Sequence, residues 1–124
     1  MKPPRSGTFW ESFRHAGEGI LYAIRTQRNF RVHLVAATGV TLLGLWLELT
    51  LTAWTLIAVV IGLVLMAEMA NTAAEALVDL ASPEYHPLAR QVKDVAAGAV
   101  LLVALTSIVV GGLVLGPPLV ARLW

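Results

Sequence analysis

The sequence predicts an all-α integral membrane protein: an N-terminal amphipathic helix in the membrane interface, followed by three transmembrane helices. Three observations predict it. Of 124 residues, 57% are hydrophobic and 14% charged, and the mean hydropathy is +0.74. A small domain buries only about 60–70% of its unfolded surface, so the excess apolar area has to face lipid. Charge-free apolar runs recur three times, at lengths suited to a bilayer. The basic residues lie between these runs. Lys2, Arg5, Arg14, Arg25, Arg28 and Arg31 precede the first, and Arg90 and Lys93 separate the second from the third. With three crossings, eight of the nine basic residues share one side, which the positive-inside bias makes cytoplasmic. The chain reads as one membrane domain over 1–124. Without cysteine, disulfide and thiolate chemistry are excluded. The opening "MKPPRSGTFWESFRHAG" has no apolar h-region and does not read as a signal peptide.

The surface helix is expected over about residues 8–28. At about 100° per residue, Phe9, Phe13, Ala16, Gly17, Ile20 and Ile24 fall on one side, and Glu11, His15, Glu18, Tyr22 and Arg25 fall opposite. Aromatic and aliphatic groups against a charged face suit a helix in the headgroup plane. The first crossing covers about 30–48, with Arg31 and His33 at the cytoplasmic interface. Trp46 and Trp54 flank a short turn at "ELTLT", as outer-interface anchors do. The second crossing, about 51–73, continues as helix through a polar stretch until Pro83 and Pro87 of "SPEYHP" break it. The third, about 92–115, is expected to end by Pro117-Pro118. Its Ala96, Ala97, Gly98, Ala99, Gly111 and Gly112 permit close helix contact.

The polar stretch "EMANTAAEALVD" carries the chemistry. With Glu68 at zero on a helical wheel, Asn71 falls at about 300°, Glu75 at about 340° and Asp79 at about 20°. Four polar groups therefore form one narrow stripe, with Thr72 at its edge. At about 1.5 Å per residue from Leu51, Glu68 lies roughly 25 Å across a core of about 30 Å. It is placed just beneath the cytoplasmic surface, with Glu75 and Asp79 beyond it and Lys93 and Asp94 at a similar level on the third crossing.

Charge at this depth is expensive and calls for a use. Phosphoryl transfer needs a divalent metal on phosphate oxygens, a cation for developing charge, and a base for the acceptor's hydroxyl proton. Glu75 suits Mg²⁺, which prefers one or two carboxylates with substrate oxygens and waters. Lys93 suits phosphate, and a partly desolvated Glu68 suits general-base work. No Gly-rich phosphate loop is present. The bland alternative is interhelical glue, with the carboxylates pairing to Lys93 or Arg90; Asp79 alone reads as a pairing group, and Asp94 as a charge favoured by the helix dipole. By themselves, His15 and His33 read as interface anchors, and His86 has no reading.

The string E-x-x-N-T-A-x-E-x-x-x-D from Glu68 to Asp79, then "EYH" and "KDVAAGAVLL", resembles the small prokaryotic diacylglycerol kinase and undecaprenol kinase family. The upstream "SFRHAGEGILYAIRTQRNFRVHL" is similar to its undecaprenol kinase branch. The resemblance covers about residues 9–115. It implies a homotrimer of three-span subunits, transferring the γ-phosphate of ATP to a lipid hydroxyl with Mg²⁺, in the bacterial inner membrane. It also implies that Glu68 is the catalytic base, Asn71 its motif neighbour, and Glu75 the ligand of metal and ATP. Glu84, Tyr85 and His86 match the nucleotide-contacting loop, Lys93 and Asp94 the phosphate-contacting pair, and His15 a surface-helix contact to nucleotide. Gln27 stands where the family has a second metal-binding glutamate, and its neutral amide oxygen is a weaker Mg²⁺ ligand. Thr8 replaces an early arginine of the surface helix, with Arg5 and Arg14 as substitutes.

The leading function is thus a lipid kinase using ATP at the cytoplasmic face, with undecaprenol favoured, diacylglycerol as the alternative, and no nucleic-acid partner. A proton- or ion-coupled transporter titrating Glu68 would place its polar residues near mid-membrane, whereas these crowd one end. A non-catalytic assembly subunit would leave the stripe and Lys93 without purpose.

Overall fold

The computed structural model describes residues 7–124 as four helices in chain order: α1 (Phe9–Thr26), α2 (Arg28–Leu47), α3 (Leu51–Ala81) and α4 (Pro87–Leu123). Lys2 and Arg5 lie outside the described residues. Helices α2, α3 and α4 are each long and apolar enough to cross a membrane. Short turns make successive helices antiparallel, so the start of α2, the end of α3 and the start of α4 share one end of the bundle. At the other end the Arg122 guanidinium lies 4.8 Å from the Trp46 ring centroid and ties the end of α4 to the end of α2.

Local chemistry sets the boundaries. Thr8 caps α1, its hydroxyl accepting from the Glu11 N–H at 3.3 Å. Phe9 and Phe13, one turn apart, meet edge to face at 5.1 Å. The α1–α2 break is a single extended residue, Gln27 (φ −110°, ψ 109°). It is fastened by Arg31, whose Nη1 donates to the otherwise free carbonyls of Ile24 at 2.9 Å and Arg25 at 3.2 Å. Arg31 is therefore the C-terminal clasp of the surface helix as well as an interface charge.

The turn between α2 and α3 is tight. Glu48 takes the left-handed conformation (φ 54°) as the α2 cap, and Thr50 caps α3 by accepting from Ala53 N–H at 3.2 Å. Trp54, expected as an anchor, also packs inward against Gly44. A Cβ at Gly44 would stand 2.8 Å from Trp54 Cη2 and 2.9 Å from Leu49 Cδ1. Gly44→Ala is accordingly expected to cost about 1–3 kcal/mol, because the stiff indole has to shift. Thermal unfolding in detergent measures it, and an unchanged midpoint would show that the turn yields freely.

Two expectations need correction. Pro87 opens α4 rather than merely ending α3. It occupies the first turn, where a missing N–H costs nothing, behind a His86 cap whose Nδ1 accepts from Leu88 N–H at 3.1 Å. Helix α4 thus begins before Gln91 and also runs through Pro117-Pro118 to Leu123. The two prolines remove two donors, but their φ of about −65° is helical and the chain beyond them keeps winding. Helix α3, at 31 residues, is about 46 Å long and outreaches a hydrocarbon core of about 30 Å by three turns.

The packed interior of the chain is small. Ala23, Phe30, Leu47, Ile57 and Val64 are its buried hydrophobic residues, and α4 contributes none. Helix α3 packs mainly on α4 and more lightly on α2. Its buried face runs through Ile57, Val64 and Glu68, at intervals of seven and four residues. The polar stripe is the continuation of that face.

Candidate active site

Glu68 is the buried charged residue of the described chain, at 3% exposure. It lies one turn past Val64 on the inward face of α3, where burial was set by the packing of its apolar predecessors. A carboxylate there needs a partner. It has one in His33, whose Nε2 lies 3.1 Å from Glu68 Oε1 and bridges α2 to α3. His33 is therefore more than the interface anchor expected from its position. His33 follows buried Phe30 by one turn, on the inner face of α2, a position that the helix packing reveals. Thr72, at the edge of the stripe, spends its hydroxyl on the Glu68 backbone carbonyl at 2.9 Å and leaves the carboxylate alone.

The other stripe members diverge in environment. Asn71 keeps a buried Oδ1 with no hydrogen-bond partner, an unsatisfied acceptor three residues from Glu68. Glu75 is half-buried, two turns from Glu68 on the same face. Asp79 is exposed and bound to the inter-helix turn: Lys93 Nζ donates to its Oδ1 at 2.6 Å, across the α3–α4 hairpin. Asp94 stands 3.9 Å from Arg90, one turn earlier on α4.

Around that hairpin the fold brings six predicted residues together. Asp79, Glu84, Tyr85, His86, Lys93 and Asp94 line one open, polar cavity of about 350 Å³, with Arg90 among them. The turn that shapes it is held by Ser82 Oγ, which donates to Glu84 O at 3.0 Å. Glu68, Gln27 and His15 lie apart from this cavity. Gln27 occupies the α1–α2 break, with Nε2 3.5 Å from Thr26 Oγ1. His15 on α1 meets Glu18 at 3.4 Å, and Arg14 meets the same Glu18 at 3.8 Å. No group of three or more His, Asp or Glu side chains gathers into a metal cluster among the described residues.

Two apolar hollows lie along α3 near Glu68. One, about 100 Å³, runs between α2, α3 and α4 from His33 past Val64, Ile61 and Ile57. The other, about 630 Å³ and open to the surface, lies beneath α1 between Ile20, Ile24, Phe30, Met66 and Met69. Through His33, which lines the first hollow and meets Glu68 at 3.1 Å, the carboxylate neighbours an apolar space near the polar end of the bundle. Such a junction suits a reaction between a greasy acceptor and a dissolved donor.

Comparison with known proteins agrees with this geometry. Residues 14–115 match the family described as prokaryotic diacylglycerol kinase. The chain is 44% identical over 111 residues to the undecaprenol kinase of Bacillus subtilis, covering 90% of each chain. It is 45% identical over 111 residues to the diacylglycerol kinase of Synechocystis, covering 89% of this chain and 63% of that protein. To the diacylglycerol kinase of Escherichia coli it is 28% identical over 95 residues, covering 77% of this chain and 78% of that one. With the family matched across most of its length and the three apolar helices in place, the chain belongs to the prokaryotic diacylglycerol kinase family and is a membrane lipid kinase.

Proposed function

We propose that this lipid kinase phosphorylates undecaprenol, with MgATP as donor, at the cytoplasmic face of a bacterial inner membrane. The observation that carries the choice of acceptor is the 44% match to an undecaprenol kinase spanning nine tenths of both chains. The equally similar diacylglycerol kinase is matched over only 63% of its length. The cytoplasmic placement is supported by the sequence pattern, in which eight of the nine basic residues precede the apolar run of α2 or lie between the apolar runs of α3 and α4.

In this reading Glu68 accepts the proton of the acceptor hydroxyl while that oxygen attacks the γ-phosphorus, and the bond to the β–γ bridging oxygen breaks as ADP leaves. The apolar hollows beside Glu68 hold the lipid chain, and the flexible Met66 and Met69 adapt the wall beneath α1 to it. Lys93 offers its ammonium to the phosphates, positioned by Asp79. Glu84, Tyr85 and His86 of the turn contact the nucleotide in the 350 Å³ cavity, with Asp94 on its wall and His15 reaching it from the surface helix.

The residues present fit Mg²⁺ to a limited degree. The orphaned Oδ1 of Asn71 and the carboxylate of Glu75 are oxygen donors of the right hardness on one helix face, and Gln27 adds a neutral one. Without a cluster of three acids, substrate oxygens and waters complete the shell. Bound there, the ion would neutralise charge on the transferring phosphoryl group. Gln27→Glu is therefore expected to lower the Mg²⁺ concentration needed for half-maximal activity by several-fold, since a charged ligand replaces a neutral one. An unchanged metal titration would remove Gln27 from the site.

A homotrimer accompanies this reading. An α4 with no buried residue, exposing Leu102, Leu105, Val109 and Leu113, leaves an apolar face for neighbouring copies. The deciding experiment gives the purified protein γ-labelled ATP and Mg²⁺, with undecaprenol and dioleoylglycerol in parallel. Label on undecaprenol in clear preference supports the proposal, and preference for dioleoylglycerol replaces the acceptor.

A further inference from the structure

We propose that His33 is a positioning residue for the phosphoryl-transfer step. Its imidazole holds one oxygen of the Glu68 carboxylate, so that the other faces the acceptor hydroxyl. The inference rests on the lipid-kinase reading with Glu68 as base and adds to it a residue on a different helix.

The geometry singles out His33. Glu68 is 3% exposed, and its Oε1 is engaged by His33 Nε2 at 3.1 Å. Among the described residues no hydrogen bond engages Oε2, and that atom is not sealed from the surface as Asn71 Oδ1 is. One carboxylate oxygen is thus anchored and the other left for chemistry. Without the anchor the side chain could rotate through several rotamers, and a displacement of about 1 Å at a reacting group costs about 10²-fold in rate.

Three cations near this end of the bundle are engaged elsewhere. Lys93 binds Asp79 at 2.6 Å, Arg31 binds the Ile24 and Arg25 carbonyls, and Arg90 faces Asp94 at 3.9 Å. From α3 only Glu68 makes a polar contact with His33. The hollow that the ring lines presents uncharged Ser107 and Gly111 from α4, and it contains no other titratable group. Among the described residues His33 is thus the side chain that hydrogen-bonds the Glu68 carboxylate.

The proton accounting closes. A neutral ring keeps its Nε2 proton and donates it as a hydrogen bond to Oε1 throughout. The acceptor's proton goes to Oε2 as its oxygen bonds phosphorus, and the resulting glutamic acid later returns that proton to solvent.

The experiment measures kcat and KM for ATP, with undecaprenol in detergent micelles, for wild type, His33→Ala and His33→Gln. Gln offers an amide N–H near the position of Nε2. His33→Ala is expected to lose about 10²-fold in kcat with KM for ATP unchanged. His33→Gln is expected to recover most of that kcat. Wild-type kcat in His33→Ala, or a His33→Gln as impaired as His33→Ala, would overturn the proposal. If His33→Ala does not assemble, His33→Leu, which keeps the volume without a donor, takes its place. A wild type that labels no lipid removes the kinase reading and this inference together, whereas an active wild type with indifferent His33 variants removes this inference only.

Discussion

Glu68→Gln is expected to lower kcat by about 10²–10⁴-fold, the range associated with losing a positioned general base. The substitution is nearly isosteric. A Gln amide oxygen can still accept from His33 where Oε1 now lies 3.1 Å from Nε2, so the bridge between α2 and α3 is preserved. Removing a negative charge from a site at 3% exposure also relieves a desolvation cost, so the variant should be no less stable than wild type. Binding of ATP should change little, because the proposed nucleotide contacts line the separate cavity of the α3–α4 turn. The measurement is initial rate at saturating ATP and lipid, alongside a thermal midpoint in the same detergent. Undiminished turnover would leave Glu68 as a buried structural acid and move the base elsewhere.

The second large effect concerns Lys93. Its ammonium meets Asp79 at 2.6 Å and lines the polar cavity with Glu84, Tyr85, His86 and Asp94. If it serves the phosphates, Lys93→Met removes a cation from developing charge and is expected to cost about 10²–10³-fold in kcat/KM for ATP. Lys93→Arg should restore only part of this, since a planar fork does not replace a compact ammonium. Asp79→Asn provides the contrast. An exposed ion pair is a weak tie, so losing it should perturb activity far less than losing the cation. Equal losses in Lys93→Met and Asp79→Asn would mean that the hairpin tie matters and the phosphate contact does not.

The comparison of these two residues shows what was legible in the sequence. That Glu68, Asn71, Glu75 and Asp79 share a face follows from helical periodicity, a local property. That Lys93 lies opposite Asp79 required only a short turn after "SPE" and helices on either side of it. The pairing of Glu68 with His33 was of another kind. The two residues are 35 apart in sequence, and nothing local connects them. Their contact depends on how α2 and α3 rotate against one another, which is decided by which apolar faces pack. The second role of Arg31 was hidden for a related reason: its reach back to the carbonyls of Ile24 and Arg25 exists only because the chain turns sharply at Gln27.

By itself the sequence determined the all-helical membrane class, the order of the four helices, the polar stripe on α3 and the family. Each of these is written in hydropathy, in a 3.6-residue period or in a contiguous motif, all of which survive without tertiary contacts. Only the tertiary structure decided where α4 starts and stops, which glycine is pressed against Trp54, and which partner stabilises the buried carboxylate. These depend on side chains from separate helices reaching the same few ångströms of space, and proline, glycine and histidine each have a meaning there that their neighbours in sequence do not specify.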